Sequence, residues 1–311
     1  MLPVPIRKWQ LARVAMFEGF ETFDIATDET SIHGRRGGSG PPLLLLHGFP
    51  ETHLMWHATA PRLAEHFTVV AADLRGYGNS GTPPSSADHR PYSKSVMARD
   101  MILVMRTLGY ERFSVAGHDR GGRCAYRMAL DYSDRIARLA VLDLIPTNEA
   151  FNRANMDFAL GFWPWCLLAQ PHPFPETLIA GAPEMVANYP LDSWSSDSAC
   201  FSAGLREAYT QQFRSADHAH AICEEYRAAA TVDYLQDESD KGKRRISCPV
   251  RALWGRRGAL EAWYDPLEIW KQWAANVSGR AVECGHFIPE EAPDETSEDL
   301  LAFFADAPEG R

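Results

Sequence analysis

A short segment between residues 113 and 124 combines a strand pattern with a reactive side chain. It reads FSVAGHDRGGRC, and Gly117, Asp119 and Gly121 have the Gly-x-nucleophile-x-Gly spacing of a sharp strand-to-helix turn. The glycines allow the tight bend, which exposes the central side chain and directs the amides of the next helix at the reacting group. A simple glycine turn in which Asp119 caps the helix has the same local pattern. The segment therefore favours Asp119 as a nucleophile but leaves the capping role open.

Two further polar residues follow in the order that such a site requires. Asp143 ends the aliphatic run LAVLD, and His286 follows the last strand-like run in the segment CGHFIP. Both lie where predicted strands end, which is where a parallel sheet presents ligands. A lone histidine there is more often structural, but the order nucleophile, carboxylate, histidine is that of a hydrolase triad. The sequence thus predicts Asp119, Asp143 and His286 as a catalytic set.

An aspartate nucleophile implies chemistry at a saturated carbon. Its carboxylate, with a usual pKa near ~3.9, is already ionised at neutral pH and can displace a leaving group to form an ester. His286, oriented by Asp143, would then activate water to attack the carbonyl carbon of Asp119. A serine at this position would lead to acyl chemistry instead.

The segment His47-Gly48-Phe49-Pro50 follows the first central strand run and fits an oxyanion-hole loop. The backbone N–H groups of Phe49 and Arg120 would hold the oxyanion of the tetrahedral intermediate. Pro50 has no N–H group and would only shape the turn. The alternative is that His47 and Gly48 merely end a strand.

Arg120 and Arg123 lie three residues apart at the predicted start of a helix, and therefore on one face. Two guanidinium groups beside a catalytic carboxylate can bind a substrate carboxylate and offset its repulsion by Asp119. Structural salt bridges, for example with Asp131 or Asp134, are the alternative. The pair favours a small anionic substrate.

The elements that must position these residues alternate between helical patterns and aliphatic runs, at residues 43–46, 67–71, 113–116, 139–142, 250–254 and 280–283. Continuous apolar runs are typical of strands covered on both faces. Helices are predicted over 55–67 and 93–108, and a turn over 34–42. Between about 146 and 245, strand runs give way to Trp, Pro and helical patterns. We therefore expect an α/β core at 1–145 and 246–311, a mostly parallel sheet flanked by helices, with an inserted helical cap at 146–245.

Composition excludes several classes of protein. The 311 residues are 45% apolar and 23% charged, with a net charge of −10, so the chain is globular and a nucleic-acid partner is not expected. No apolar run reaches the ~18 residues of a membrane span, and no export signal is recognisable, so we expect a cytoplasmic protein without a membrane partner. The six cysteines are expected to be buried thiols. Neither His53 with His57 nor His218, His220 and Cys223 has zinc-site spacing, so no metal or cofactor is expected.

The segments HGFPETHLMWH, DLRGYGNS, GHDRGGR, VLD and ECGHFIPEEAPDE together resemble the α/β-hydrolase superfamily, and within it the haloacetate dehalogenases, including the fluoroacetate dehalogenases. The resemblance extends from about residue 17 to the C-terminus. It implies an α/β-hydrolase fold, a possible homodimer, and a substrate carboxylate held by Arg120 and Arg123.

The same resemblance implies that cap side chains bind the departing halide. Trp165 and Tyr226 match two of these donors, whereas Pro164 stands where the family has a histidine. Trp163 is the neighbouring candidate donor, and Trp194 is expected to line the same cavity.

The sequence thus predicts hydrolytic dehalogenation of short 2-haloacids through an aspartyl ester. Because fluoride depends most on hydrogen-bond donors, the missing histidine favours chloride or bromide as leaving group. Two alternatives stay open. The first is an epoxide hydrolase that uses cap tyrosines, with candidates at Tyr189, Tyr209, Tyr226 and Tyr234. The second is a non-catalytic sensor of small ligands on the same fold.

Overall fold

The computed structural model describes residues 16–305, and one mixed sheet organises this part of the chain. Its order is β1-β2-β4-β3-β5-β6-β7-β8, with β1 and β2 antiparallel and β3 to β8 parallel. The strands are β1 (Glu21–Ala26), β2 (Ser31–Gly37), β3 (Pro42–Leu46), β4 (Thr68–Ala72), β5 (Phe113–His118), β6 (Ile136–Leu142), β7 (Val250–Gly255) and β8 (Val277–Val282). The predicted fold class is confirmed.

Continuous apolar sequence explains the buried centre of the sheet. In β3, Leu44 and Leu46 pack into the core on one face, while Leu43 and Leu45 pack into the core on the other. All four are fully buried, because helices cover both faces. Burying a leucine side chain contributes about 1.5–3 kcal/mol to stability. The buried central strands therefore give the residues at their carboxyl ends a rigid support.

The helices are α1 (Ala60–Leu63), α2 (Lys94–Thr107), α3 (Asp119–Asp131), α4 (Thr147–Asn152), α5 (Met156–Gly161), α6 (Trp163–Leu167), α7 (Phe174–Gly181), α8 (Pro183–Ser193), α9 (Ala203–Arg214), α10 (Ala216–Ala228), α11 (Tyr234–Asp240), α12 (Ala259–Trp263), α13 (Pro266–Trp273), α14 (Ile288–Glu291) and α15 (Pro293–Ala305). A π-helical segment, Ala229–Asp233, joins α10 to α11. Helix α2 is as predicted, and Gly109 beyond it has a φ of 91°.

Two local expectations are wrong. The single helix predicted over 55–67 is broken into a 3-10 turn, His53–Trp56, and the short α1. Pro61 is the reason for the late start, because proline is accommodated in the first turn of a helix but not in its interior. The turn predicted over 34–42 begins later, since residues 34–37 belong to β2, and Gly38 and Gly40 make the turn with φ of 78° and 131°.

Between β6 and β7 the described chain contains helices, turns and irregular segments but no strand. This is the region predicted as the cap, and its limits at 146 and 245 stay a prediction. Two cysteines correct the expectation of buried thiols: Cys166 is exposed and Cys200 is partly exposed. Within residues 16–305, no helix is both long and apolar enough to cross a membrane.

Candidate active site

Strand ends place the two candidate carboxylates. Asp119 directly follows β5 and Asp143 directly follows β6, and both have left-handed backbones, with φ of 39° and 53°. Such a conformation costs about 1–3 kcal/mol for a residue with a side chain, and aspartate tolerates it better than most. A Cβ on Gly117 would lie 2.6 Å from the carbonyl carbon of Gly121, so the turn around Asp119 needs its glycines.

His286 and Asp143 form a buried hydrogen-bonded pair. His286 Nδ1 lies 2.5 Å from Asp143 Oδ2, while Asp143 Oδ1 accepts a hydrogen bond of 2.8 Å from the backbone N–H of Gly255. A carboxylate at Nδ1 places the proton on that nitrogen. His286 Nε2 is buried and has no hydrogen-bond partner. The arrangement leaves this nitrogen able to accept a proton from water.

Asp119 is held as an anion. Burial alone would raise the pKa of its carboxyl group, but His286, Arg123 and Arg120 outweigh burial and lower it. The backbone N–H of Phe49 lies 3.3 Å from Asp119 Oδ2, as an oxyanion-hole donor should. The N–H of Arg120 belongs to the first turn of α3, where amides have no acceptor within the helix.

Arg120 has a partner that sequence reasoning missed. Its Nε lies 2.8 and 2.9 Å from the two carboxylate oxygens of Glu225 in α10, and its Nη2 also contacts Glu225. Lys94 and Tyr77 donate to the same carboxylate. The alternative of a structural ion pair is therefore realised for part of Arg120, with Glu225 as its partner. Its Nη1 is buried without an acceptor.

Arg123 is only partly engaged. Its Nη1 donates to the carbonyl oxygen of Ile145 at 2.8 Å, and its Nε lies 3.7 Å from Asp119 Oδ1 without forming a hydrogen bond. Its guanidinium carbon lies 4.4 Å from the centre of the Trp165 ring. Each of the two arginines thus keeps one buried nitrogen without a hydrogen-bond acceptor, and that of Arg123 lies 3.7 Å from Asp119 Oδ1.

The cap residues predicted around the halide differ in their positions. Tyr226 and Trp165 lie against Arg120, with ring centres 4.1 and 5.2 Å from its guanidinium carbon. Trp194 packs 5.4 Å from the His286 ring, but its indole N–H is used by the carbonyl oxygen of Gly161 at 3.0 Å. Trp194 therefore packs against the His286 ring, and its indole N–H group is not available as a hydrogen-bond donor to a halide.

Pro164 and Trp163 occupy the first turn of α6. Pro164 is buried and has no N–H group to offer. The Trp163 ring contacts Tyr189, and its indole nitrogen is buried without a partner. The structure does not show a contact between Trp163 and Asp119 or its arginines, so its donor role stays a prediction.

The four tyrosines considered as acids for an epoxide mechanism have different surroundings. Tyr209 donates to Glu290, Tyr234 donates to Asn152, and Tyr189 is half exposed. Of these four side chains, Tyr226 is the one that packs on the site arginines. The structure thus does not bring a pair of these tyrosines together at Asp119.

Among residues 16–305, two clusters of side chains have ligand atoms close enough together to hold a metal ion. They comprise His33, His53 and Asp73, and His172, Glu176 and His220. The first is occupied by a hydrogen bond of 2.8 Å between His53 and Asp73, and the carboxylate of the second is bound by Arg227. Both therefore act as hydrogen-bonded groups, and neither includes a residue of the Asp119 site.

Other buried groups near the site were also missed from sequence. Glu225 precedes the predicted Tyr226, which is the one local signal for it. Glu51, His118 and Glu290 flank predicted motif residues along the chain and are buried, and His118 contacts both Glu51 and the backbone carbonyl oxygen of His286. Nothing in their local sequence shows that they contact one another.

Comparison with known proteins agrees with this geometry. A family model described as the α/β hydrolase fold matches residues 41–293. The chain belongs to this family. It is 42% identical to a fluoroacetate dehalogenase from Burkholderia sp, over 95% of this chain and 97% of that protein. It is also 33% identical to a soluble epoxide hydrolase from Corynebacterium sp. (strain C12), over 91% and 98% of the two chains.

A solved structure of an α/β hydrolase from Nostoc sp PCC 7120 has a TM-score of 0.92 and 47% identity, covering 94% of this chain and 100% of that one. The predicted resemblance to the α/β-hydrolase and haloacetate dehalogenase families is confirmed. This member of the family is a hydrolase. Its relatives include both a dehalogenase and an epoxide hydrolase, so the substrate class has to be inferred from the geometry of the site.

Proposed function

We propose that this α/β-hydrolase removes halide from short 2-haloacids, converting a haloacetate to glycolate. The observation that carries the proposal is a pair of buried guanidinium nitrogens without hydrogen-bond partners, Nη1 of Arg120 and Nε of Arg123, on two arginines whose charges lower the pKa of Asp119. Buried guanidinium donors without acceptors are costly, and a substrate carboxylate would satisfy one donor from each arginine. A haloacid held there would place its α-carbon near the nucleophile.

In the first half-reaction, a carboxylate oxygen of Asp119 attacks the α-carbon, and the halide leaves with the electron pair of the broken bond. The product is an ester between Asp119 and the remaining carboxymethyl group. Burial keeps the pKa of Tyr226 well above its usual value, so this side chain retains its proton and can donate to the departing halide. Trp165 is the second proposed donor.

In the second half-reaction, water attacks the carbonyl carbon of the Asp119 ester and gives a proton to the free Nε2 of His286. The backbone N–H groups of Phe49 and Arg120 hold the oxyanion, a contribution of about 10²–10³-fold in rate for a single donor. Collapse of the intermediate returns the proton to the leaving oxygen of the hydroxyacid. Asp119 then carries one oxygen atom from water.

The preferred leaving group follows from Pro164. Where the family resemblance implies a histidine donor, this chain has a side chain with no N–H group. A hydrogen bond to a charged group is worth about 1.5–3 kcal/mol, so its loss lowers the rate by about 10- to 150-fold. Fluoride has the most concentrated charge and loses most. We therefore favour chloroacetate and bromoacetate over fluoroacetate.

A single turnover in oxygen-18 water tests the proposal. The ester route places the label in the Asp119 carboxylate, whereas direct attack of water on the substrate labels the product and leaves the enzyme unlabelled. Halide release from chloro-, bromo- and fluoroacetate, measured beside diol formation from a small epoxide, tests the substrate class. Epoxide turnover with no halide release would replace the proposal by the epoxide hydrolase alternative.

A further inference from the structure

Two neighbouring residues of α10 hold the guanidinium group of Arg120 from different sides. The carboxylate of Glu225 lies along its edge and accepts hydrogen bonds of 2.8 and 2.9 Å from Nε and a further one from Nη2. The ring of Tyr226 covers its face, with the ring centre 4.1 Å from the guanidinium carbon. Nη1 is the nitrogen of this group that has no acceptor. Helix α10 therefore determines which nitrogen of Arg120 remains available to a substrate.

A lysine at the start of α2 holds Glu225 in turn. The side chain of Lys94 donates to the Glu225 carboxylate, and the Tyr77 hydroxyl donates to it at 3.2 Å. The backbone N–H of Lys94 donates at 2.8 Å to Asp233, in the π-helical segment that follows α10. Lys94 thus binds this part of the cap through two separate groups, which fixes Glu225 against the core.

The group formed by Lys94, Glu225 and Arg120 is enclosed by protein. The exposed fraction of each of these residues is 1% or less. Burial would raise the pKa of Glu225, but the charges of Arg120 and Lys94 outweigh burial and lower it, so the carboxylate stays ionised. Charge-assisted hydrogen bonds of this kind are strong, and a guanidinium group bound through Nε and Nη2 cannot rotate without breaking them. One orientation of Arg120 is therefore favoured.

We propose that Glu225 and Lys94 are positioning residues for the substrate carboxylate. Glu225 holds Arg120 by Nε and Nη2 so that Nη1 can donate to the carboxylate, and Lys94 keeps Glu225 ionised and in place. The inference rests on the proposed function, because it gives a reason for selectivity in the same site. Its physical content is that the orientation of Arg120 contributes to the preference for acids in addition to the net charge of the site.

A pair of substitutions that keeps the net charge isolates the orientation. Glu225→Gln alone would leave Lys94 buried without its negative partner, and burial already lowers the pKa of Lys94, so the charge of the amine would change as well. The double variant Lys94→Met with Glu225→Gln removes one charge of each sign. Its glutamine has a single uncharged acceptor for Arg120 where the glutamate has two charged ones. An effect of net charge alone would leave the preference for acids unchanged in this variant.

Halide release from chloroacetate and chloroacetamide measures the preference, since the amide has the same reacting carbon without the carboxylate. In the double variant, we expect the ratio of kcat/KM for the acid to that for the amide to fall by about tenfold, mainly through a higher KM for the acid. The values for the amide should stay within about threefold of the wild type, because the amide does not use the held nitrogen as an anion does. A purely structural role would instead lower kcat for both substrates.

Glu224→Gln is the matched control. Glu224 is a buried glutamate in the same helix and is bound by Arg227 and His89, away from Arg120. The control should keep the wild-type ratio of acid to amide. An unchanged ratio in the double variant, or an equal loss on both substrates, would overturn the proposal.

A second measurement needs no substrate. The NMR signal of the Arg120 Nε–H group can be assigned by its disappearance in Arg120→Lys. We expect this proton to exchange with water at least about tenfold more slowly than those of exposed arginines in the wild type, and to lose that protection in the double variant. Fast exchange in the wild type would show that Glu225 does not hold Arg120.

The two measurements separate the failure of this inference from the failure of the proposed function. A protected Nε–H group in a wild type without any preference for chloroacetate would refute the carboxylate site itself and, with it, the role of Glu225 in recognition. A wild type that prefers chloroacetate, together with a double variant that prefers it equally, would refute the positioning role alone.

Discussion

Replacing Arg123 by lysine separates charge from hydrogen-bond geometry in the proposed carboxylate site. The substitution keeps one positive charge near Asp119 but removes the buried Nε–H group that has no protein acceptor. It also weakens the stacking on Trp165, which lies 4.4 Å from the guanidinium carbon. Within the protein, the substitution breaks the hydrogen bond from Nη1 to the carbonyl oxygen of Ile145. Any further loss of activity comes from the missing hydrogen bond to the substrate carboxylate.

The expected loss follows from the bond that the substrate carboxylate makes. One charge-assisted hydrogen bond is worth about 1.5–3 kcal/mol, which corresponds to about 10- to 150-fold in kcat/KM. Chloroacetamide has the same reacting carbon but no carboxylate, so its kcat/KM should change by less than about threefold if the stacking contributes ~0.5 kcal/mol. Arg123→Lys should therefore lower the preference for the acid over the amide.

Halide release from both substrates measures this preference. Arg127→Lys is the matched control, because Arg127 lies one turn further along α3 and pairs with Asp131 and Asp240 away from the nucleophile. The control should keep the wild-type ratio of acid to amide. An equal loss on both substrates in Arg123→Lys would show that Arg123 supports the fold or the nucleophile and does not bind the substrate carboxylate.

Three further outcomes follow from the same contacts. His286→Gln should release about one equivalent of halide per site and then stop, with the carboxymethyl ester visible by intact mass; continued turnover would exclude His286 as the base. Pro164→His should raise fluoride release relative to chloride release by up to about 150-fold, and an unchanged ratio would remove the explanation given for halide preference. Glu176→Gln should destabilise the protein near neutral pH but not near pH 2. Burial would raise the pKa of Glu176, but its bonds with Arg227 and His220 outweigh burial and lower the pKa to about 2. The stabilisation is therefore present above the usual glutamate pKa and is lost as pH falls toward 2; a destabilisation that is equal at both pH values would contradict this.

The positions of the three candidate catalytic residues were predictable because their signals are local. The spacing of Gly117, Asp119 and Gly121 has a steric cause within five residues, since a Cβ at Gly117 would lie 2.6 Å from the carbonyl carbon of Gly121. Asp143 and His286 could be assigned from the strand runs that precede them. Their hydrogen bond joins residues 143 positions apart, but the geometry of a parallel sheet already brings such strand ends together.

Contacts between the cap and the core were not predictable in the same way. Glu225 binds Arg120 across 105 positions, and Tyr209 donates to Glu290 across 81. No periodicity or turn pattern encodes such a pair, because it depends on how the cap helices dock and not on local backbone preference. The antiparallel β1 and β2 were missed for another reason. Exposed residues interrupt both strands, so they lack the continuous apolar runs that marked the central strands.

The contact between Glu225 and Arg120 explains how two arginines can stay buried and charged in the free enzyme, before an anionic substrate binds. Lys94, Arg120 and Arg123 contribute three positive charges, while Glu225 and Asp119 contribute two negative ones in direct contact with them. Burial of unpaired charges is costly, so Glu225 compensates Lys94 and most of Arg120 in the free enzyme. It also fixes the guanidinium so that one N–H group stays free. A substrate carboxylate bound as proposed would supply a further negative charge, which is the electrostatic reason to expect acids rather than neutral halides as substrates.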